Sequence, residues 1–146
     1  MTEDANTRVV RRAYEEMVMA GNFDNIAEIV HDDYVDYTQP PGWPTDRAGL
    51  QFQIEYFRRA FPDIHVTFHE TVADGDLVIH RQTMSGTQRG EFFGIPPTRN
   101  RVQMAGFHLF RLKDNKLIEH RAVNDDLGML RQLGAIPAEP DHAQTM

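Results

Sequence analysis

The chain has 146 residues, 40% of them apolar, and a formal charge of −7, which is enough for one domain with a sizeable core and too short for two comfortable ones. The acidic balance, with a pI of about 5.4, excludes a general affinity for nucleic acid or an anionic membrane, because no local basic patch is long enough to supply one. There is no cysteine, which removes disulfides, thiolate catalysis and thiolate metal sites together. The polar stretch Met1 to Arg12 lacks the apolar run of a leader, and nothing approaches the ~18 apolar residues of a membrane span. A soluble, cytoplasmic protein is expected.

From Asn6 to Ala20, Val9, Val10, Ala13, Tyr14, Met17 and Val18 recur at helical spacing, and Gly21-Asn22 supplies the stop. A shorter helix is expected from Asp24 to about Val30. The proline-rich segment Tyr34 to Thr45 reads as a loop. Leu50, Ile54, Phe57 and Phe61 mark one face of a helix from Asp46 that Pro62 terminates. Beyond Pro62 the period falls to two, and strands are expected at Ile64–Ala73, Leu77–Gly86, Arg101–Leu112 and Lys116–Asn124, with a short segment near Glu91-Phe92-Phe93. A final helix covers Asp126 to Leu133, stopped by Gly134. The expectation is a single domain over 1–146, with about 1–5 and 137–146 as loose ends.

Helices first and long strands afterwards define an α+β domain, with the helices laid on one side of a sheet. In the Arg101–Leu112 strand both faces are largely apolar. Both therefore need cover, from helices and a pocket on one side and from another subunit on the other.

Asp125-Asp126 sits where a strand ends and a helix begins, the place where a carboxylate ordinarily caps the first turn. Asp126 can cap while Asp125 points elsewhere, because strand parity groups Asp125 with Leu117, Glu119, Arg121 and Val123, opposite His120, Ala122 and Asn124. His108 stands alone in an apolar strand. It is either a core histidine with a buried partner or a proton carrier inside a cavity, and both readings stay open. His65 and His69 lie too far apart on an extended chain to chelate, and His31 with Asp32 and Asp33 reads as a polar helix end, so no metal is assigned. Trp43 is either a lid over a pocket or a packing anchor.

The run Gly86-Thr87-Gln88-Arg89-Gly90-Glu91-Phe92-Phe93-Gly94-Ile95-Pro96-Pro97-Thr98, the strand Phe107 to Leu112 and the stretch Glu119 to Asp125 together resemble the SnoaL-like polyketide cyclases. Phe61-Pro62-Asp63-Ile64 and Tyr34-Val35-Asp36-Tyr37 fit the same pattern. Gln88 stands where the family has histidine, and Arg121 where it has tryptophan. The resemblance implies the nuclear transport factor 2-like fold, a cone of N-terminal helices around a curved mixed sheet that encloses an apolar pocket, commonly assembled as a homodimer or homotetramer through the sheet. It implies cofactor-independent aldol ring closure of an aromatic polyketide ester, with Asp125 as acid/base and His108 as its pocket partner. Tyr37, Trp43, Gln88, Phe110 and Arg121 are the expected substrate-binding residues. Ring hydroxylation of a polyketide and a non-catalytic binding or assembly role are the alternatives within the same fold.

Overall fold

The computed structural model describes residues 4–138. Of the loose ends expected at about 1–5 and 137–146, residues 1–3 and 139–146 lie outside the described residues, while Asp4 and Ala5 are a helix cap and the first helical residue. Asp4 caps the first helix by accepting from the backbone N–H groups of Asn6 and Thr7. That helix, α1 (Ala5–Ala13), passes without a break into a π-helical turn, Tyr14–Met19, and Val10, Ala13, Tyr14 and Met17 form its buried stripe. The turn ends at Gly21, whose φ of +68° favours glycine. Arg58 closes this end by donating to the carbonyls of Val18 and Met19 at 2.7 and 2.9 Å, a cation placed on exposed helix-end carbonyls.

A short α2 (Ile26–Ile29) leads directly into β1 (Val30–Asp36). Here the structure corrects the sequence. The expected helix to Val30, and the loop from Tyr34, give way to an edge strand that buries Val30, Tyr34 and Asp36. His31, half-buried, and the exposed Asp32 and Asp33 lie within this strand and not at a helix end. β1 pairs in parallel with the last strand, with an irregularity between Val30 and Val35. A strand this polar has little local signal, and the pairing with a distant partner decides it.

Helix α3 (Arg47–Ala60) starts at Asp46, which accepts from the Gly49 N–H. Four strands follow: β2 (His65–Asp74), β3 (Leu77–Thr87), β4 (Arg101–Lys113) and β5 (Lys116–Asn124). A closing helix, α4, covers Asp126–Gln132. The sheet order is β1-β5-β4-β3-β2, parallel at the β1–β5 edge and antiparallel elsewhere. The segment near Phe92 is a single bridge between Phe92 and Ile95. β4 alternates as expected, with Val102, Met104, Gly106, His108, Phe110 and Leu112 buried and Ala105 and Phe107 exposed. The buried side chains of the sheet, α1 and α3 make one core. Among the described residues no helix is long and apolar enough to cross a membrane.

Candidate active site

The inner faces of β3, β4 and β5 place side chains in three rows across the sheet: Val78, Phe110 and His120; then His80, His108 and Ala122; then Gln82, Gly106 and Asn124. Ala122 lies directly opposite His108, and its small side chain lets His108 reach both diagonal neighbours on β5. His108 Nδ1 is 2.8 Å from His120 Nε2, and His108 Nε2 is 3.2 Å from Asn124 Oδ1. His120 Nδ1 donates to Asp36 Oδ2 at 2.9 Å. The result is a buried chain from Asp36 through His120 and His108 to Asn124, with the Tyr14 hydroxyl 3.3 Å from His108 Nδ1.

Gly106 makes the outer link possible. A Cβ there would stand 1.9 Å from Asn124 Oδ1, so only glycine lets the Asn124 amide lie against β4 and meet His108.

The electrostatics run in one direction along this chain. Burial pushes His108 down to about 3, with repulsion from His120 and His80 adding to it. Burial likewise pushes His80 down to about 4. Desolvation alone would raise the Asp36 carboxyl, but hydrogen bonds from His120 and Thr38, with the charge on His120, hold it below its ordinary value. A proton entering at His108 is therefore poorly held there. The next imidazole, His120, bonds the Asp36 carboxylate at 2.9 Å.

Asn124, His108 and His120 face a cavity with Phe110, Tyr14 and Gln82. About 790 Å³ of empty space lies there, part of it open to solvent. The opposite wall comes from helix side chains such as Met17, Leu50, Ile54 and Phe57, and among the described residues no carboxylate lines it.

The structure reverses the division of labour expected for the aspartate pair. Asp125 is itself the cap of α4, accepting from the Gly128 N–H at 2.9 Å, while Asp126 occupies the first helical position. Asp125 is exposed and is not among the residues lining the cavity. The cause is a bulge. Arg111 pairs with Glu119 but Leu112 pairs with Leu117, so Ile118 is the extra residue, and an extra residue inverts the parity beyond it. Counting from Leu117 therefore puts Asp125 on the wrong face, and His120 and Asn124 turn inward instead.

The other expected residues divide. His108 and Phe110 are on the cavity wall. Tyr37 is exposed, with the Arg121 guanidinium 4.1 Å from its ring centroid, and Arg121 also pairs with Glu119. Neither lines the cavity, and Arg121 makes no bond to Asp125. Gln88 is fully buried but ties a loop, accepting from the Thr98 N–H and hydroxyl and donating to the carbonyls of Gly90 and Ile95. Trp43 packs in an aromatic cluster with Phe52, Tyr56 and Phe93, at ring separations of 5.0, 5.0 and 5.5 Å, on the face of α3 away from the cavity. It is a packing anchor. Sequence reasoning missed Asp36, His80, Gln82, His120 and Asn124. Their signal was available only as polar residues at alternate positions in otherwise apolar strands.

Fold and site together define a small α+β protein with a cavity that two bonded, buried histidines face. The chain belongs to the SnoaL-like polyketide cyclase family, whose model matches residues 8–133, and it has the nuclear transport factor 2-like fold. It is 30% identical over 129 residues to the aklanonic acid methyl ester cyclase DnrD of Streptomyces peucetius, covering 86% of this chain and 88% of that one. The nogalonic acid methyl ester cyclase of Streptomyces nogalater is 28% identical over 122 residues, covering 78% and 87%. Among solved structures, the candidate polyketide cyclase IdmH of Streptomyces antibioticus superposes with a TM-score of 0.77 at 31% identity, covering 88% of this chain and 98% of that one. AclR of Streptomyces galilaeus, a candidate hydroxylase, gives 0.78 at 26% identity, covering 96% and 87%.

Proposed function

We propose that the protein closes a ring in an aromatic polyketide ester by an intramolecular aldol reaction, using only its own side chains as acid and base. The observation that carries this reading is the Asp36–His120–His108 chain ending at the cavity. In the resting state His120 Nδ1–H donates to Asp36, and His108 Nδ1–H donates to His120 Nε2, which leaves a lone pair on His108 Nε2. Asn124 Oδ1 stands 3.2 Å along that lone pair, so the amide swings off as substrate enters and Nε2 then takes the proton α to a substrate carbonyl. As it does so, the Nδ1 proton passes to His120, so the positive charge comes to rest beside the carboxylate, and Asn124 Oδ1 accepts from the new Nε2–H. The enolate carbon then attacks a second carbonyl of the same molecule, and the relay returns its proton to the alkoxide. The apolar wall suits a planar polycyclic substrate.

Incubation with aklanonic acid methyl ester or nogalonic acid methyl ester tests the reading, with a cyclised isomer of unchanged mass as the expected product. Unchanged substrate in both cases removes the support that the relatives lend. Asp125→Asn is the discriminating control: asparagine caps a helix as well as aspartate, so turnover is expected to stay within twofold of the parent. Asp125→Ala is expected to lose about 1 kcal/mol of stability and little activity. A second reading, hydroxylation of a polyketide ring, draws on the likeness to AclR. It predicts product heavier by one oxygen and formed only in air.

We also propose that a second copy of the chain covers the outer face of the sheet. There Phe107 and Val123 are neighbours across β4 and β5 at 57% and 77% exposure, beside the exposed Ile79 and Val72, an apolar area too contiguous for a solvated surface. Arg81 and Glu70 on the same sheet pair with each other at 2.7 Å. Sedimentation should give a dimer or tetramer, and Phe107→Glu should shift it to monomer.

A further inference from the structure

Gln82 and His80 stand on the inner face of β3 and are not used by the relay. Both are buried, at 4% and 1% exposure. His80 Nε2 lies 2.8 Å from Gln82 Oε1. His80 Nδ1 is buried with no hydrogen-bond partner. This fixes the tautomer, because an orphaned N–H is rarer and costlier than an under-used acceptor: the proton sits on Nε2 and is donated to Gln82. The ring cannot turn away. It is stacked on Phe68 at 4.2 Å with the planes 8° apart, and the Tyr14 ring stands on edge against it at 5.4 Å.

With its oxygen committed to His80, the Gln82 amide presents its NH₂ group, and no described residue accepts from it. Gln82 lines the cavity. It lies in the row of Gly106 and Asn124, and because the Asn124 amide lies over Gly106, the Gln82 side chain faces that amide across the row. Both side chains line the cavity, so a substrate oxygen that reaches the Gln82 NH₂ from the cavity lies about one strand spacing, ~4.8 Å, from the His108–Asn124 end of the relay.

We infer that the Gln82 amide, oriented by His80, is the donor that binds the oxygen of the substrate's reacting carbonyl and carries the charge of its enolate. The inference rests on the acid/base reading of His108, which supplies the proton transfer that makes the enolate. Gln82 touches substrate and is a catalytic residue, whereas His80 is a positioning residue. A fixed N–H donor aimed at the place where charge develops, in a site with few competing waters, costs no reorganisation during reaction. Burial supplies that setting here.

The test uses 2-naphthol, whose neutral and anionic forms have distinct absorbance and fluorescence. The wild-type protein should bind the naphtholate more tightly than the naphthol, lowering the pKa of the bound probe by one unit or more. Gln82→Met, similar in volume and without a donor, should abolish that shift and lower kcat about 10²–10³-fold with KM changed little. His80→Phe, which keeps the stack on Phe68, should reduce the shift and lower kcat about tenfold at constant KM, a split that a loss of packing alone would not give. His108→Gln should keep the shift and lose turnover. Failure of wild-type protein to bind or to favour the anion overturns the inference, and so does a Gln82→Met variant that retains the shift. If His108→Gln turns over normally while the shift follows Gln82, the acid/base reading fails and the donor stands.

Discussion

His108→Gln is expected to lower turnover by about 10²–10⁴-fold, the usual worth of one positioned acid/base group, while thermal stability changes little. The glutamine NH₂ can donate to His120 Nε2 as the imidazole Nδ1–H does, and it can also reach Asn124 Oδ1, which stands 3.2 Å from His108 Nε2. What it cannot do is accept a proton on one atom and release another from a second. A histidine with its pKa near 3 would be a feeble base by itself, so the reading requires the charge to move on. Asp36→Asn tests that requirement. It keeps the hydrogen bond to His120 within reach and removes the counter-charge, and it should lower turnover at least tenfold with KM unchanged. Equal activity in His108→Gln and the parent would end the case for the relay.

The topology was legible because the apolar periods were clean. Val10, Ala13 and Met17 announced α1 and the π-helical turn that continues it, and the strict alternation of β4 announced both its buried face and the exposed Phe107. β1 was not legible. His31-Asp32-Asp33 looks like a helix end, and only the distant pairing with β5 makes it a strand. The site failed in the sequence for a related reason. One extra residue at Ile118 changes which of Asp125 and His120 faces the core, and a bulge leaves no trace in local composition. His108 stands on the face its parity predicts because β4 carries no irregularity between Arg101 and Arg111.

Gly106 and Ala122 show how much of the site lies in what is missing. Neither carries chemistry, and neither was singled out in the sequence. Yet Gly106 makes room for Asn124, and Ala122 leaves His108 free to reach diagonally. Polar side chains in a low-dielectric site are costly unless every partner is in place. The small residues are what allow the partners to meet.

That cost should be visible as an acid instability beginning well above the carboxylate range. His80 and His108 are held neutral in the folded protein, at about 4 and about 3, whereas in the unfolded chain each takes up a proton near pH 6.5. Between those limits the unfolded state binds up to two more protons than the folded one. Stability therefore rises with pH across this window. The contribution is fully present above about pH 6.5 and is lost progressively as the pH falls towards the folded values, at a slope approaching about 3 kcal/mol per pH unit for the two groups. Asp36, whose carboxyl is held below its ordinary value, adds a further loss below about pH 4. Since a domain has only about 5–15 kcal/mol to lose, urea midpoints should fall steeply between pH 6 and pH 4.5. His80→Phe should roughly halve the slope, because it removes one of the two groups and keeps the stack on Phe68. A flat profile from pH 7 to pH 5 would mean that these imidazoles are charged in the folded state, and the proton path from His108 to His120 would then have no vacancy to use.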